Sequence, residues 1–363
     1  MSQNNKNNYI SIAKGLGITL MVMGHCGVPA PFDKLIYQFH MPLFFFCSGY
    51  FIKEIKCKDN LFSFYHKRFV GIYLKFILWS FLFLLLHNVF YHINIYNDII
   101  TFHGQHSYIY TLSDYVNKSI KIVFCMNEHE QLIRSFWFLK KLFLASIIVS
   151  SVLFIVNKTT RNPHANICVF VLFFILSTVS KYLNWYLPAI WDISLVFMSC
   201  TFYIAGYIFR TYNILEHLYQ ISISIICIII STIGVYTLPW TNMLEYTTET
   251  IFSFYIVAFS GIVFTINLSK TIEKSRAKSL LYYLGQNTMV IFALHMLCFK
   301  IGNLLKMLVY NMPKWRLAEF QIIYDHNTWF WIIYTIIGIC IPLLVNYLMK
   351  RSMKTKKIWN YFV

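Results

Sequence analysis

Apolar stretches of about twenty residues recur along this chain, and each is long enough to cross the hydrocarbon core of a bilayer as one α-helix. Hydrocarbon offers no partner to a backbone amide, so such runs must satisfy their own hydrogen bonds as helices. Of the 363 residues, 58% are hydrophobic and 12% are charged, whereas a soluble domain carries about 25% charged residues. The chain therefore reads as an all-α integral membrane protein, a single transmembrane domain over 1–363 without a soluble domain. Ten spans are expected, roughly at 10–28, 35–52, 69–91, 134–156, 166–183, 188–209, 214–238, 250–268, 282–309 and 328–349.

The net charge of +17 would suggest a nucleic-acid partner in a soluble protein. Here the basic residues lie in short connections between apolar runs, which excludes that reading and points to membrane topology. The connection at 53–68 carries Lys53, Lys56, Lys58, Lys67 and Arg68, and that at 269–281 carries Lys270, Lys274, Arg276 and Lys278. The tail adds Lys350, Arg351, Lys354, Lys356 and Lys357, while 239–249 has no Lys or Arg. With ten spans, this asymmetry places both termini in the cytoplasm. The long outer connection at 92–133 holds His103, Glu128, His129 and Glu130; a loop of that length is often functional, or contains a short helix of its own. The nine cysteines form no CxxC pair and read as small core hydrophobes, not metal ligands. The Asn-rich start lacks the pattern of a cleavable signal, so the first apolar run is expected to stay as a membrane helix.

That first run, IAKGLGITLMVMGHCG, holds Lys14 and His25. On a continuous helix, eleven residues turn through about 1100°, three turns and a little more, so both side chains share a face. Their Cα atoms would be about 16 Å apart, within reach of one long thin ligand. An ionisable group at membrane depth is costly and usually faces the protein interior or a wet cavity. Taken alone, Lys14 also fits snorkelling to headgroups, and His25 also fits a neutral core histidine; as a general base, His25 would have an imidazole suited to neutral pH. The second span contains FHMPLFFFCSGYF, residues 39–51, in which His40 has a depth similar to that of His25. There Pro42 breaks the helical ladder, and Ser48-Gly49 permits close packing.

Four pieces in order, IAKGLGITLMVMGH, FHMPLFFFCSGYF, FWFL at 136–139 and LGQNTMVIFALH at 284–295, give the chain a resemblance. It resembles the acyltransferase family 3 integral-membrane enzymes, which transfer acyl groups, often acetyl, onto sugars and glycans. Lys14 stands where Arg is more usual in the family, and Thr288 where Ser is more usual. The chain ends soon after its last span, so the extra hydrolase-like domain of some members is not matched.

The resemblance implies an acyl-CoA donor, most often acetyl-CoA, a carbohydrate acceptor and no metal. It implies a multi-pass protein of the bacterial inner membrane, and it maps the family's essential histidine onto His25. Lys14, Lys67, Arg68 and Lys75 would face the nucleotide phosphates of CoA, the pantetheine arm running along the first helix. His25 would deprotonate the acceptor hydroxyl or carry a covalent acyl group; the sequence does not separate the two. His40 and His295 would orient His25 or touch the acceptor, His295 lying about 20 Å from the inner end of the ninth span. Trp137, Glu128, Glu130 and Ser48 are the candidate acceptor contacts, although a tryptophan also suits an interfacial belt. The competing reading is a transporter or flippase of a polar or lipid-linked solute; against it stand the lack of an inverted repeat and a histidine-rich rather than carboxylate-rich set. The lipid bilayer is a further expected partner, and the reading admits a homo-oligomer.

Overall fold

The computed structural model describes residues 8–102, 105–160, 162, 164–187, 191–351 and 353–363; His103 lies outside the described residues. The described elements are α1 (Asn8–Gly24), α2 (Phe32–Tyr50), α3 (Lys58–Arg68), α4 (Leu74–His92), α5 (Leu112–Cys125), α6 (Trp137–Thr159), α7 (Ala165–Tyr182) and α8 (Ile193–Thr211). They continue with α9 (Ile214–His217), α10 (Ile221–Thr237), α11 (Ile251–Ile272), α12 (Lys278–Gln286), α13 (Thr288–Tyr310), α14 (Phe330–Arg351) and α15 (Met353–Trp359). Two ladders of two-residue strands, Thr101–Phe102 with Gln105–His106 and Tyr186–Leu187 with Trp191–Asp192, are the only sheet among the described residues.

A helix stands at each of the ten expected spans. Seven helical stretches among the described residues are long and apolar enough to cross a membrane, with Ile221–Thr237 apolar but shorter. Three boundaries differ from expectation. The first helix stops at Gly24 rather than 28, because Gly27 turns the chain with φ of 64° and prolines follow at 29 and 31. The connection at 53–68 is largely helical: α3 runs through a π-helical turn at Phe69–Tyr73 into α4. The expected span at 282–309 is broken at Asn287, whose ψ of 22° leaves the helical ladder between α12 and α13. The long connection does contain a helix, α5, opened by a Thr111–Asp114 capping box.

The chain folds as two compact units. The first draws its described residues from Met1–Met21, Ala30–Ile72 and Lys141–Gln286. Its centre is α8, buried along nearly its whole length and packed on α2 and α7, with α10 and α11 joining α2. Glycine sets the closest approaches. A Cβ at Gly49 of α2 would run into the Tyr203 carbonyl of α8, and one at Gly206 of α8 into the Phe46 carbonyl of α2. The same reciprocity joins α1 to α12: a Cβ at Gly15 would meet the Leu281 carbonyl, and one at Gly285 the Ser11 carbonyl. Close backbone approach of this kind is the main source of helix association in lipid, where there is no hydrophobic drive between helices. A hydrogen bond from Gln286 Nε2 to Ser11 Oγ at 3.0 Å closes the α1–α12 contact.

The second unit draws on Val22–Pro29, Tyr73–Lys140 and Asn287–Val363. Here α13 packs on α14, α14 on α15, and α4 on α5. Asn346 of α14 donates to Asn287 Oδ1 at 2.8 Å and accepts from Trp359 Nε1 of α15 at 2.8 Å, which ties the helix break to the C-terminal segment.

Gly285→Ala should lower stability by about 1–3 kcal/mol, since its neighbour is rigid backbone. Gly71→Ala, where a Cβ would meet nothing within 4 Å, should be neutral or stabilising by up to about 1 kcal/mol. Thermal unfolding of the detergent-solubilised protein distinguishes them; equal losses would remove the packing role given to Gly285.

Candidate active site

Within the second unit, α13 carries Lys300, Asn303 and Lys306, spaced so that successive members neighbour one another on the helix surface. All three are buried, and a buried ammonium in an apolar helix is costly unless its donors are used. They are used on one target, the connection between α13 and α14. Lys300 Nζ donates to the carbonyls of Leu317 at 3.0 Å and Glu319 at 2.7 Å. Lys306 Nζ donates to the Ile323 carbonyl at 2.6 Å and lies 5.1 Å from the Phe330 ring centroid. Asn303 Oδ1 accepts from Ile323 N at 3.1 Å and from Tyr334 Oη at 2.6 Å. Arg316 adds a clamp across the connection, pairing with Glu319 at 2.5 Å and Asp325 at 2.6 Å.

The anchored connection in turn holds the turn after α1. Asn327 Nδ2 donates to the carbonyls of Cys26 at 2.9 Å and Gly27 at 3.0 Å. Gln321 brings its Nε2 to 3.1 Å from His25 Nδ1, and Tyr324 Oη donates to Gln321 Oε1 at 3.3 Å. Gln321 has φ of 60°, a left-handed conformation disfavoured for an L-residue, held here by the anchors on either side.

His25 is half-buried. Its ring stacks on that of His295, with centroids 5.4 Å apart and planes 27° apart. His295 is buried, and its Nδ1 donates to the carbonyls of Phe292 at 2.9 Å and Ile291 at 3.2 Å. That donation fixes its tautomer, and His295 Nε2 has no hydrogen-bond partner among the described residues. The FWFL stretch supports this wall: Phe136 stacks on Phe292 at 5.2 Å and Phe138 meets it edge-on at 5.9 Å. Phe292 lies 6.4 Å from the His295 ring. The site thus pairs a partly exposed imidazole, gripped at one nitrogen, with a fixed buried one. Such a pair can accept a proton at the exposed ring.

The other expected site residues fall as follows. In the first unit, His40 is buried on α2, Nδ1 bonded to the Ile36 carbonyl at 2.8 Å and ring against Tyr37 at 5.3 Å. Ser48 and Lys14 are half-buried, Lys14 one residue before the Gly15 contact. Lys67 is exposed in the last turn of α3, and Arg68 lies over the Phe64 ring at 4.7 Å. In the second unit, Lys75 donates to the Val363 carbonyl, and Trp137 is half-buried at the start of α6. Glu128 pairs with Arg134 at 3.5 Å. Glu130 is buried, its carboxylate 2.7 Å from His87 Nδ1, so its charge is engaged inside the unit. The structure brings His25 and His295 together; it adds Gln321, Asn327, Lys300, Asn303 and Lys306, which the sequence reading missed. The three polar residues at three-residue spacing inside an apolar span were the available signal.

A family model described as an acyltransferase domain matches residues 7–349. The chain belongs to acyltransferase family 3. With its long apolar helices it is a multi-pass membrane acyltransferase. No curated protein and no solved structure matches it.

Beside Glu128, burial together with Lys118, Lys121 and Arg134 pushes the His129 imidazole down to about 4. A depressed histidine pKa gives stability that is full above the unfolded value of about 6.5. That contribution declines as pH falls from there towards the folded value. Thermal unfolding should therefore shift to lower temperature between pH 7 and pH 4.5, and His129→Gln should flatten part of that slope. An unchanged slope in the variant would remove His129 from the acid response.

Proposed function

We propose that this acyltransferase moves an acyl group, most often acetyl, from acyl-CoA to a sugar hydroxyl of a cell-surface or lipid-linked glycan, with His25 as general base. The observation that carries this reading is His25 itself: half-buried, held at Nδ1 and backed by the buried His295 ring, in a chain matched by the family from residue 7 to 349. In the proposed reaction, Nε2 of His25 takes the acceptor's hydroxyl proton as the oxygen attacks the thioester carbonyl. The tetrahedral intermediate expels the CoA thiolate, which takes the proton back from the imidazolium. The products are the O-acyl sugar and free CoA, and the enzyme returns to its starting state.

Lys14 is proposed to meet a CoA phosphate as a point charge, with Lys67, Arg68 and Lys75 as further donor-side cations. His40, Ser48, Trp137 and Glu128 are proposed on the acceptor side. We place the protein in the bacterial inner membrane with ten crossings and both termini cytoplasmic. The charge asymmetry supports this: Lys270, Lys274, Arg276 and Lys278 follow α11, whereas 239–249 has no Lys or Arg.

His25→Ala, at normal membrane abundance, should cut acyl incorporation into surface glycans by at least ~100-fold, read as the loss of one acyl mass per modified sugar by mass spectrometry. Acylation at the wild-type level would sink the assignment. Lys14→Ala should weaken acetyl-CoA binding more than Lys14→Arg; identical affinity in both variants and wild type would return Lys14 to a snorkelling role. For topology, a reporter fused after residue 245 should read outside and one after residue 275 inside, and any other pattern requires a different crossing number.

A further inference from the structure

The connection between α13 and α14 is held more firmly than a link between two helices requires. Two buried lysines and an asparagine bind its backbone at Leu317, Glu319 and Ile323. What this fixes in space is Gln321, between two of those points and in a left-handed backbone conformation. Its carboxamide lies between His25 Nδ1 at 3.1 Å and Tyr324 Oη at 3.3 Å. We propose that Gln321 is a positioning residue for His25: its carboxamide sets which imidazole nitrogen carries the proton. The inference rests on the reading of His25 as the base.

A neutral imidazole has one donor nitrogen and one acceptor, and the partner of one decides the state of the other. With the amide N–H directed at Nδ1, the proton of His25 sits on Nε2, and Nε2 cannot take another. A half-turn of the carboxamide about its Cγ–Cδ bond exchanges oxygen and nitrogen at nearly the same positions. Oε1 then accepts from Nδ1–H, and the amide N–H donates to Tyr324 Oη, since a phenol oxygen accepts as readily as it donates. Both bonds survive, and Nε2 now carries a lone pair. When Nε2 takes the acceptor's proton, the imidazolium keeps Nδ1–H on Gln321 Oε1, and a neutral carbonyl partners the new charge. The proton moves from the sugar oxygen to Nε2 and leaves with the CoA thiol, so the Nδ1 proton never has to move.

The full-length protein in nanodiscs, labelled with ¹⁵N-histidine, reports the two ring nitrogens separately; the His25 signals are identified by their loss in His25→Gln. Gln321→Glu places a carboxylate at Nδ1 and should raise the His25 titration midpoint by about 1 pH unit or more, holding the neutral ring as the Nδ1–H tautomer. Gln321→Met, which fills similar space without a polar atom, should leave a tautomer mixture. In membranes that carry the native acceptor, Gln321→Met should lower kcat about 10- to 100-fold with KM for acetyl-CoA unchanged. Gln321→Glu should recover part of that loss, with the acidic limb of kcat/KM moved to higher pH. Tyr324→Phe, which leaves Gln321 in place, should weaken the tautomer bias without changing the unfolding temperature. A His25 titration and tautomer unchanged in Gln321→Glu overturns the positioning role. A titration that moves as expected, in a protein whose His25→Ala variant still transfers acyl groups, leaves the positioning role standing and overturns the base assignment instead.

Discussion

Two ammonium groups buried under an apolar helix surface hold the candidate site together. Lys300 and Lys306 use backbone carbonyls, not carboxylates, as their partners. Carbonyls belong to the fold of the connection itself, so these bonds exist only when residues 317–323 adopt their irregular path. A cost in an apolar helix is thereby offset by a constraint on a loop that would otherwise sample many conformations. The constraint passes on through Asn327 to Cys26 and Gly27 and through Gln321 to His25. Removing either lysine would leave carbonyls unpaired at the point that supports His25.

Helix packing in the first unit answers a different demand. Lipid tails are as apolar as leucine, so burial alone gives helices no reason to associate. The two reciprocal glycine contacts, Gly49 with Gly206 and Gly15 with Gly285, replace that drive with backbone approach and dispersion. Glycine costs helix propensity, and its recurrence at four contact points marks where shape rather than propensity decides. Gly15 and Gly285 belong to two of the motifs that resemble the family, which gives those motifs a packing reason beside any chemical one.

The sequence made the helices legible because hydropathy and length act locally: every expected span is occupied by a helix. Boundaries failed where a backbone angle overrode composition, at Gly27 and Asn287, and where a polar connection continued as helix through Phe69–Tyr73. The pairing of His25 with His295 was suggested by common depth, and Glu130 was visible as a candidate but not as the partner of His87, because pairing across 43 residues leaves no trace in spacing. Gln321 was illegible for the same reason: it lies in an irregular connection, 296 residues from His25, and its importance comes from where buried lysines hold it. Those lysines stand inside the expected span 282–309, where an ionisable residue points to function, but their spacing does not show which carbonyls they bind.

Three histidines were expected in one site, and their Nδ1 partners separate them. His40 and His295 sit within helices, and each Nδ1 is bonded to a carbonyl of its own preceding turn, Ile36 for one and Ile291 with Phe292 for the other. A main-chain carbonyl can only accept, so it fixes Nδ1–H in both rings. His25 lies one residue beyond the end of α1, because Gly24 and Gly27 allow the chain to leave the helix there, and its Nδ1 meets a side-chain amide. A carboxamide can donate or accept, so for His25, unlike the other two rings, the orientation of the Nδ1 partner decides the tautomer. The early end of the first helix, a departure from the expected continuous span, is what makes such a partner geometrically accessible.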